Sequence, residues 1–289
     1  MTLEALLKAA ARRCAIPYET ILKDYAIGHV LSAIASEPSL ASTLVMKGGT
    51  ALKKLYFGDY RFSEDLDFSG IAAPKGAALA RALRSAGSRA QDRMSATGPF
   101  SVVVERVAHR QDHPSGQEDL VFRVQFTWQR RPLCTVKIEI TADEPVLLPT
   151  VVRTILHAYG EELPGEIRSY QLEEIVAEKL RAVLQSEARR LIRSWVRPRC
   201  RDYYDLWRIL GAHEHTLDLD AVRRILPAKC ALRGVSFTSA ADFFPSGIVA
   251  VVTDAWEGDL GGVVAELPPV KTVFDELRET VANSLFAHL

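Results

Sequence analysis

The chain has no excess of either charge: Lys+Arg and Asp+Glu number 36 each among its 289 residues. Net charge therefore selects no partner, and any preference for a polyanion must come from local clustering. Cysteines are few. The four, at positions 14, 134, 200 and 230, form no CxxC pair, which argues against a cysteine zinc site or a disulfide framework and fits a reducing cytoplasm. Long apolar runs are missing too: the longest, Ile248 to Val252, is far too short to cross a bilayer. Met1 to Ala11 sets Glu4 and Lys8 inside a helical apolar pattern, unlike the uninterrupted core of a secretory signal. The expectation is a cytoplasmic protein with no membrane association. There is no low-complexity tract, no internal repeat, no GxxxxGK[ST] loop and no GxGxxG fingerprint. His109 and His113 are four apart, but with Pro114 and Gly116 nearby they read as a surface loop rather than a metal site.

What is present is a globular composition, 48% hydrophobic and 25% charged. Leu3, Leu6, Leu7 and Ala10 follow a helical period, and Ile27, Val30, Leu31 and Ile34 follow another between Pro17 and Pro38. Leu44 to Met46 reads as a short buried strand. Gly48-Gly49 makes a turn, and Thr50 is placed to cap a helix over Ala51 to Tyr56. A strand is expected over Phe62 to Phe68, a helix over Ala77 to Met94, and strands over Ser101 to Val107, Val121 to Trp128 and Leu133 to Thr141. Beyond Pro164-Gly165 helices dominate. The expected fold is α/β (α+β) and bilobed, with a mixed or antiparallel sheet in a lobe over 1–165 and a mainly helical lobe over 166–289.

Successive side chains of a strand alternate faces. Arg61, Ser63, Asp65 and Asp67 would thus share one face, opposed to Phe62, Leu66 and Phe68. Two carboxylates at that spacing repel each other unless a cation lies between them, and Mg2+ takes oxygen ligands from one or two carboxylates plus substrate phosphates. A solvated acidic edge is the alternative. In Val136-Lys137-Ile138-Glu139-Ile140 the same alternation offers Glu139 as a third carboxylate, or as the partner of Lys137 on a solvent face. Gly48-Gly49 allows close backbone approach to a ligand, and the helix that follows presents free N–H groups suited to phosphate.

The order of strand, glycine turn, helix and DxD strand resembles nucleotidyltransferases of the DNA polymerase β superfamily. More narrowly, Lys47-Gly48-Gly49-Thr50-Ala51-Leu52 through Arg61-Phe62-Ser63-Glu64-Asp65-Leu66-Asp67-Phe68 resembles the AbiEii/AbiGii-type toxins, which include the MenT group. The likeness continues in Glu173-Glu174-Ile175-Val176-Ala177-Glu178-Lys179-Leu180 and in Arg201-Asp202-Tyr203-Tyr204-Asp205-Leu206. Thr50 stands where the wider superfamily often has Ser, and keeps the hydroxyl. The resemblance implies a toxin of a type IV-like toxin–antitoxin system that transfers a nucleotide from an NTP to the 3′ acceptor end of tRNA and so blocks translation and growth. It carries Asp65, Lys179 and Asp202 over as catalytic or nucleotide-site residues; with the strand alternation, Asp67 joins them as catalytic, and Asp65, Asp67 and Glu139 are read as ligands of one or two Mg2+ ions. Lys47, Gly48, Gly49, Thr50, Arg61, Ser63 and Lys179 become nucleotide-site residues, in a cleft between the lobes.

Read from the residues, Lys179 falls on the apolar face marked by Leu172, Ile175, Val176, Leu180 and Val183. An amine there needs an anionic partner or must snorkel to water. Asp202 is equally placed to complement a helix N-terminus. Arg189, Arg190, Arg193, Arg197, Arg199 and Arg201 face only Glu187 in that stretch, with Trp195, Tyr203 and Tyr204 nearby. Such a cluster suits a phosphate backbone or forms a charged solvated face; the resemblance favours tRNA, with Arg189, Arg190, Arg193, Arg197 and Arg199 as its contacts. Ser63 shares the carboxylate face, and the resemblance suggests silencing by a kinase-like antitoxin that phosphorylates it. The protein is expected to be a monomer. Three rivals remain: a nucleotidyltransferase acting on a protein or small molecule, a nuclease of the PD-(D/E)xK type, and an inactive nucleic-acid-binding module. The nuclease wants acid-x-Lys on the strand, whereas Lys137 precedes Glu139.

Overall fold

A computed structural model describes residues 1–98, 100–107, 116–142, 144–193, 196–213 and 216–286. His109, His113 and Trp195 lie outside the described residues. The chain forms two compact units, Met1–Tyr170 and Gln171–Leu289.

The first unit opens with α1 (Leu3–Cys14), capped by the Thr2 hydroxyl, and α2 (Tyr18–Ala35), which starts after Pro17. A short α3 (Pro38–Ala41) leads into β1 (Leu44–Lys47). Then follow α4 (Gly48–Ala51), a π-helical turn (Leu52–Tyr56), β2 (Asp65–Gly70), α5 (Gly76–Ser95) and β3 (Ser101–Arg106). The unit closes with β4 (Gln117–Gln125), β5 (Cys134–Thr141), β6 (Val151–Thr154) and β7 (Glu166–Ser169). The seven strands make one sheet in the order β3-β4-β5-β2-β1-β7-β6. Parallel pairing of β2 with β5 and of β1 with β7, among otherwise antiparallel neighbours, makes the sheet mixed, one of the two forms expected from the sequence. Pairing of β7 with β1 and β6 carries this unit through Tyr170.

Alternation fixes the two faces of the sheet. Leu66, Phe68, Leu120, Phe122, Val136, Ile138 and Ile140 are all buried, on the side where α2 packs against β5 and α5 against β3 and β4. α2 is buried on nearly every side, which fits its almost continuous apolar sequence. A buried ion pair, Asp24 Oδ2 to Lys54 Nζ at 2.7 Å, is joined by the Tyr159 hydroxyl at 2.8 Å and ties α2 to the π-helical turn.

The second unit is helical: α6 (Leu172–Arg190), α7 (Cys200–His213), α8 (Leu219–Ala231), a 3-10 turn (Ala240–Phe243), α9 (Ser246–Leu260) and α10 (Val270–Leu285). Glu173 and Glu174 in the first turn of α6, and Arg189 and Arg190 in its last, complement the helix dipole. Among the described residues no helix is long and apolar enough to cross a membrane.

Two local expectations are corrected. β2 begins at Asp65, not Phe62, so Arg61 and Ser63 precede the strand and do not extend its carboxylate face. Thr50 does not cap a helix: α4 already begins at Gly48, and the buried Thr50 hydroxyl donates to the Asp65 carbonyl. The short strands β6 and β7 carry no alternation signal long enough to have been expected.

Candidate active site

Register sets the first unit's polar face. Lys47 pairs with Asp67 across β1 and β2, Asp67 with Glu139 across β2 and β5, and Glu139 with Asp119 across β5 and β4. Residues in register share a face, so a charged row crosses four strands. One step along, Asp65 pairs with Lys137. Asp119, buried beside Glu139, was missed from the sequence: it lies in the polar run Gln117-Glu118-Asp119, where nothing but sheet register marks it.

Lys137 pairs with Glu139, lies 3.6 Å from Asp119 and is the register partner of Asp65, while Asp67 stands between Lys47 and Glu139 in the row. Burial tends to lower the Lys137 pKa, but Glu139, Asp119 and Asp65 outweigh it and the net shift is upward. Burial raises the Asp65 carboxyl; Lys23 and Lys137 oppose the rise while Glu139 and Glu64 add to it. Lys47 is held by Glu144 and by the Thr141 hydroxyl at 3.0 Å.

The two glycines make room for this machinery. Gly48 has φ +75, and a Cβ there would lie 2.7 Å from Asp67 Oδ2. A Cβ on Gly49 would lie 2.3 Å from Arg61 Nη2. Arg61 is buried and donates to the Phe62 carbonyl at 3.1 Å. The close approach that glycine permits is therefore made by Asp67 and Arg61. With Thr50 bonded to the Asp65 carbonyl, the turn fixes where both aspartates of the DxD stand. Ser63, half-buried, lies just before the strand.

In the helical unit Lys179 is buried and finds its anions on α7: Asp202 Oδ1 at 2.9 Å and Asp205 Oδ2 at 2.7 Å. Asp202 also meets Arg199 at 3.4 Å. The apolar-face amine is thereby satisfied without snorkelling. Arg189, Arg193 and Arg197 are exposed and Arg199 is half-buried, whereas Arg190 is bound twice by Glu187 and packs over Gly247. Burial and then repulsion from Arg199, Arg193, Arg181 and Arg233 lower the Arg189 pKa. Arg181 and Arg233 join the cluster from outside the run visible in sequence.

A family model described as nucleotidyl transferase AbiEii toxin, type IV TA system, matches residues 29–282. The chain belongs to the AbiEii family. A comparison with curated proteins found no match. As an AbiEii protein the chain is a nucleotidyltransferase toxin of a toxin–antitoxin system, which implies an NTP substrate and an antitoxin partner. The match takes in the glycine turn, the charged row of the sheet and the α6–α7 segment.

Family membership also implies a divalent metal, and the donor set fits one. Asp65, Asp67 and Glu139 are hard oxygen donors in a row where carboxylates outnumber Lys47 and Lys137, the chemistry that Mg2+ accepts. They are not drawn tightly together: among the described residues, the three ligand-type groups whose donor atoms lie within 4.8 Å of one another are His29, His157 and Glu161.

Proposed function

We propose that this AbiEii protein transfers an NMP from an NTP to the 3′ acceptor end of tRNA, blocking translation and growth. The observation that carries the reading is the in-register row Asp67–Glu139, with Asp65 one step along and the glycine turn folded over Asp67. Mg2+ held by Asp65, Asp67 and Glu139 would supply charge neutralisation of the triphosphate and a more acidic acceptor hydroxyl. The protein's own part is positioning. Thr50 fixes the start of β2, Gly48 admits the Asp67 carboxylate, and Arg61 and Lys47 flank the turn as cations for phosphate oxygens. A new ester bond forms from the acceptor hydroxyl to the α-phosphorus as the bond to pyrophosphate breaks, and the hydroxyl proton passes to a carboxylate of the row. By resemblance, Lys179 and Asp202 serve the same reaction.

The acceptor assignment rests on the arginines. Exposed Arg189, Arg193 and Arg197, with Arg199, concentrate positive charge in a chain with none to spare, as binding to a phosphate backbone requires. A protein or small-molecule acceptor would not need that cluster. Incubating the purified protein, a monomer on this reading, with total RNA and each labelled NTP in turn should label tRNA with one or a few nucleotides. Label on protein alone, or on no macromolecule, would remove tRNA as the substrate.

Ser63 is the proposed point of control by a kinase-like antitoxin. A phosphate there adds roughly −2 of charge, two residues from Asp65 in a row already rich in carboxylates. Intact-mass analysis after coexpression with the antitoxin should show one added phosphate, absent from Ser63→Ala. An unchanged mass would rule this control out.

A further inference from the structure

The first unit holds a second polar cluster, away from the charged row. His29, on α2, is buried, and so is the His157 side chain, between β6 and β7, at 1% exposure. Glu161, one-third exposed, brings Oε1 to 3.1 Å from His29 Nε2 and 3.4 Å from His157 Nε2. The two imidazoles stand edge to face, with ring centroids 5.4 Å apart. α2 is shaped for this: a Cβ on Gly28 would lie 2.5 Å from His157 Nδ1.

Hydrogen bonding alone does not account for the arrangement. Among the described residues, neither ring nitrogen of His157 has a hydrogen-bond partner, nor does His29 Nδ1. A buried imidazole with both nitrogens unmatched is an uncommon thing to keep in a core. Burial lowers the pKa of both imidazoles, which favours the neutral form that a metal takes.

We infer that His29, His157 and Glu161 form a site for a borderline divalent cation of the Zn2+ class, clamping the β6–β7 connection to α2. Neighbouring ligand atoms around a tetrahedral Zn2+ at ~2.0–2.1 Å lie about 3.3 Å apart, and the two contacts to Glu161 bracket that value. Imidazole donors favour Zn2+ over Mg2+, which takes oxygen. The exposed side of Glu161 leaves a fourth position for water. This site is independent of the proposed catalytic metal, since no ligand is shared.

The test uses the full chain, saturated with Zn2+ in excess Mg2+, desalted, and analysed for bound metal and thermal stability. The wild type should keep one Zn2+ per chain and show a Zn2+-dependent rise in Tm. Glu161→Gln and His157→Gln should each weaken retention at least about 100-fold, beyond the 10–100-fold typical of losing a ligand's hydrogen-bond partner. Asp67→Asn should retain the ion. If His157→Gln fails to fold, Glu161→Gln, at a partly exposed position, decides the matter, with circular dichroism reporting its fold. A wild type that keeps no Zn2+, or one whose Zn2+ survives Glu161→Gln and is lost in Asp67→Asn, overturns the inference.

Discussion

Asp65→Ala is expected to abolish nucleotide transfer, lowering the rate by at least about 10²–10³-fold, and to relieve growth inhibition while the protein stays folded. The side chain is half-buried, and burial together with Glu139 and Glu64 already disfavours its charge. Removing it should therefore cost the fold little. The backbone contact that positions this residue, Thr50 hydroxyl to Asp65 carbonyl, survives truncation of the side chain. Labelled-nucleotide transfer and thermal melts on the same preparation check both halves; a variant that melts normally and still transfers at the wild-type rate would refute the catalytic assignment. Lys179→Ala would be a poorer probe. It removes an ion-pair partner of the fully buried Asp205 carboxylate, so lost activity and lost structure would be confounded.

The largest stability effect is expected for Lys54→Met. Lys54 and Asp24 are almost wholly buried and 2.7 Å apart, so removing the ammonium leaves a carboxylate in the core that keeps the Tyr159 hydroxyl as a donor but loses its counter-charge. Breaking such a pair from one side costs about 3–5 kcal/mol, which in a unit of this size lowers Tm by roughly 6–20 °C. The double variant Asp24→Leu/Lys54→Met should recover most of the loss, because replacing both charges by apolar groups removes the desolvation penalty along with the attraction. Paired melts of the two variants make the comparison. Equal destabilisation by both would mean that packing, not the unpaired charge, sets the cost.

What the sequence made legible follows from what is periodic. Strict alternation in Val136 to Ile140 and in Asp65 to Phe68 put the acids on one face and the aliphatic residues on the other, and the sheet keeps that division. Sheet register was not legible. It alone places Asp119 beside Glu139, and it excludes Arg61 and Ser63 from the strand by starting β2 at Asp65. The role of the glycines was half visible. A turn was evident, but not that Asp67 and Arg61 fill the space a side chain would need. Lys179 shows the same limit: its place on an apolar face left an anionic partner and snorkelling to water both open, and only packing shows that Asp202 and Asp205 supply the partner. The cluster of His29, His157 and Glu161 left no trace in sequence, because its members are brought together by the path of the chain between β6 and β7. No short motif encodes a contact across 132 residues.

The central claim is nucleotidyl transfer from an NTP by the carboxylate row. The most direct measurement supplies the preferred NTP with label either at the α-phosphate or at the γ-phosphate and follows the acceptor RNA and the released product. The account predicts that α-label enters the RNA, that γ-label appears only in pyrophosphate, and that Asp65→Ala does neither. Transfer of γ-label to the acceptor, or incorporation of α-label that persists at the wild-type rate in Asp65→Ala, would contradict it.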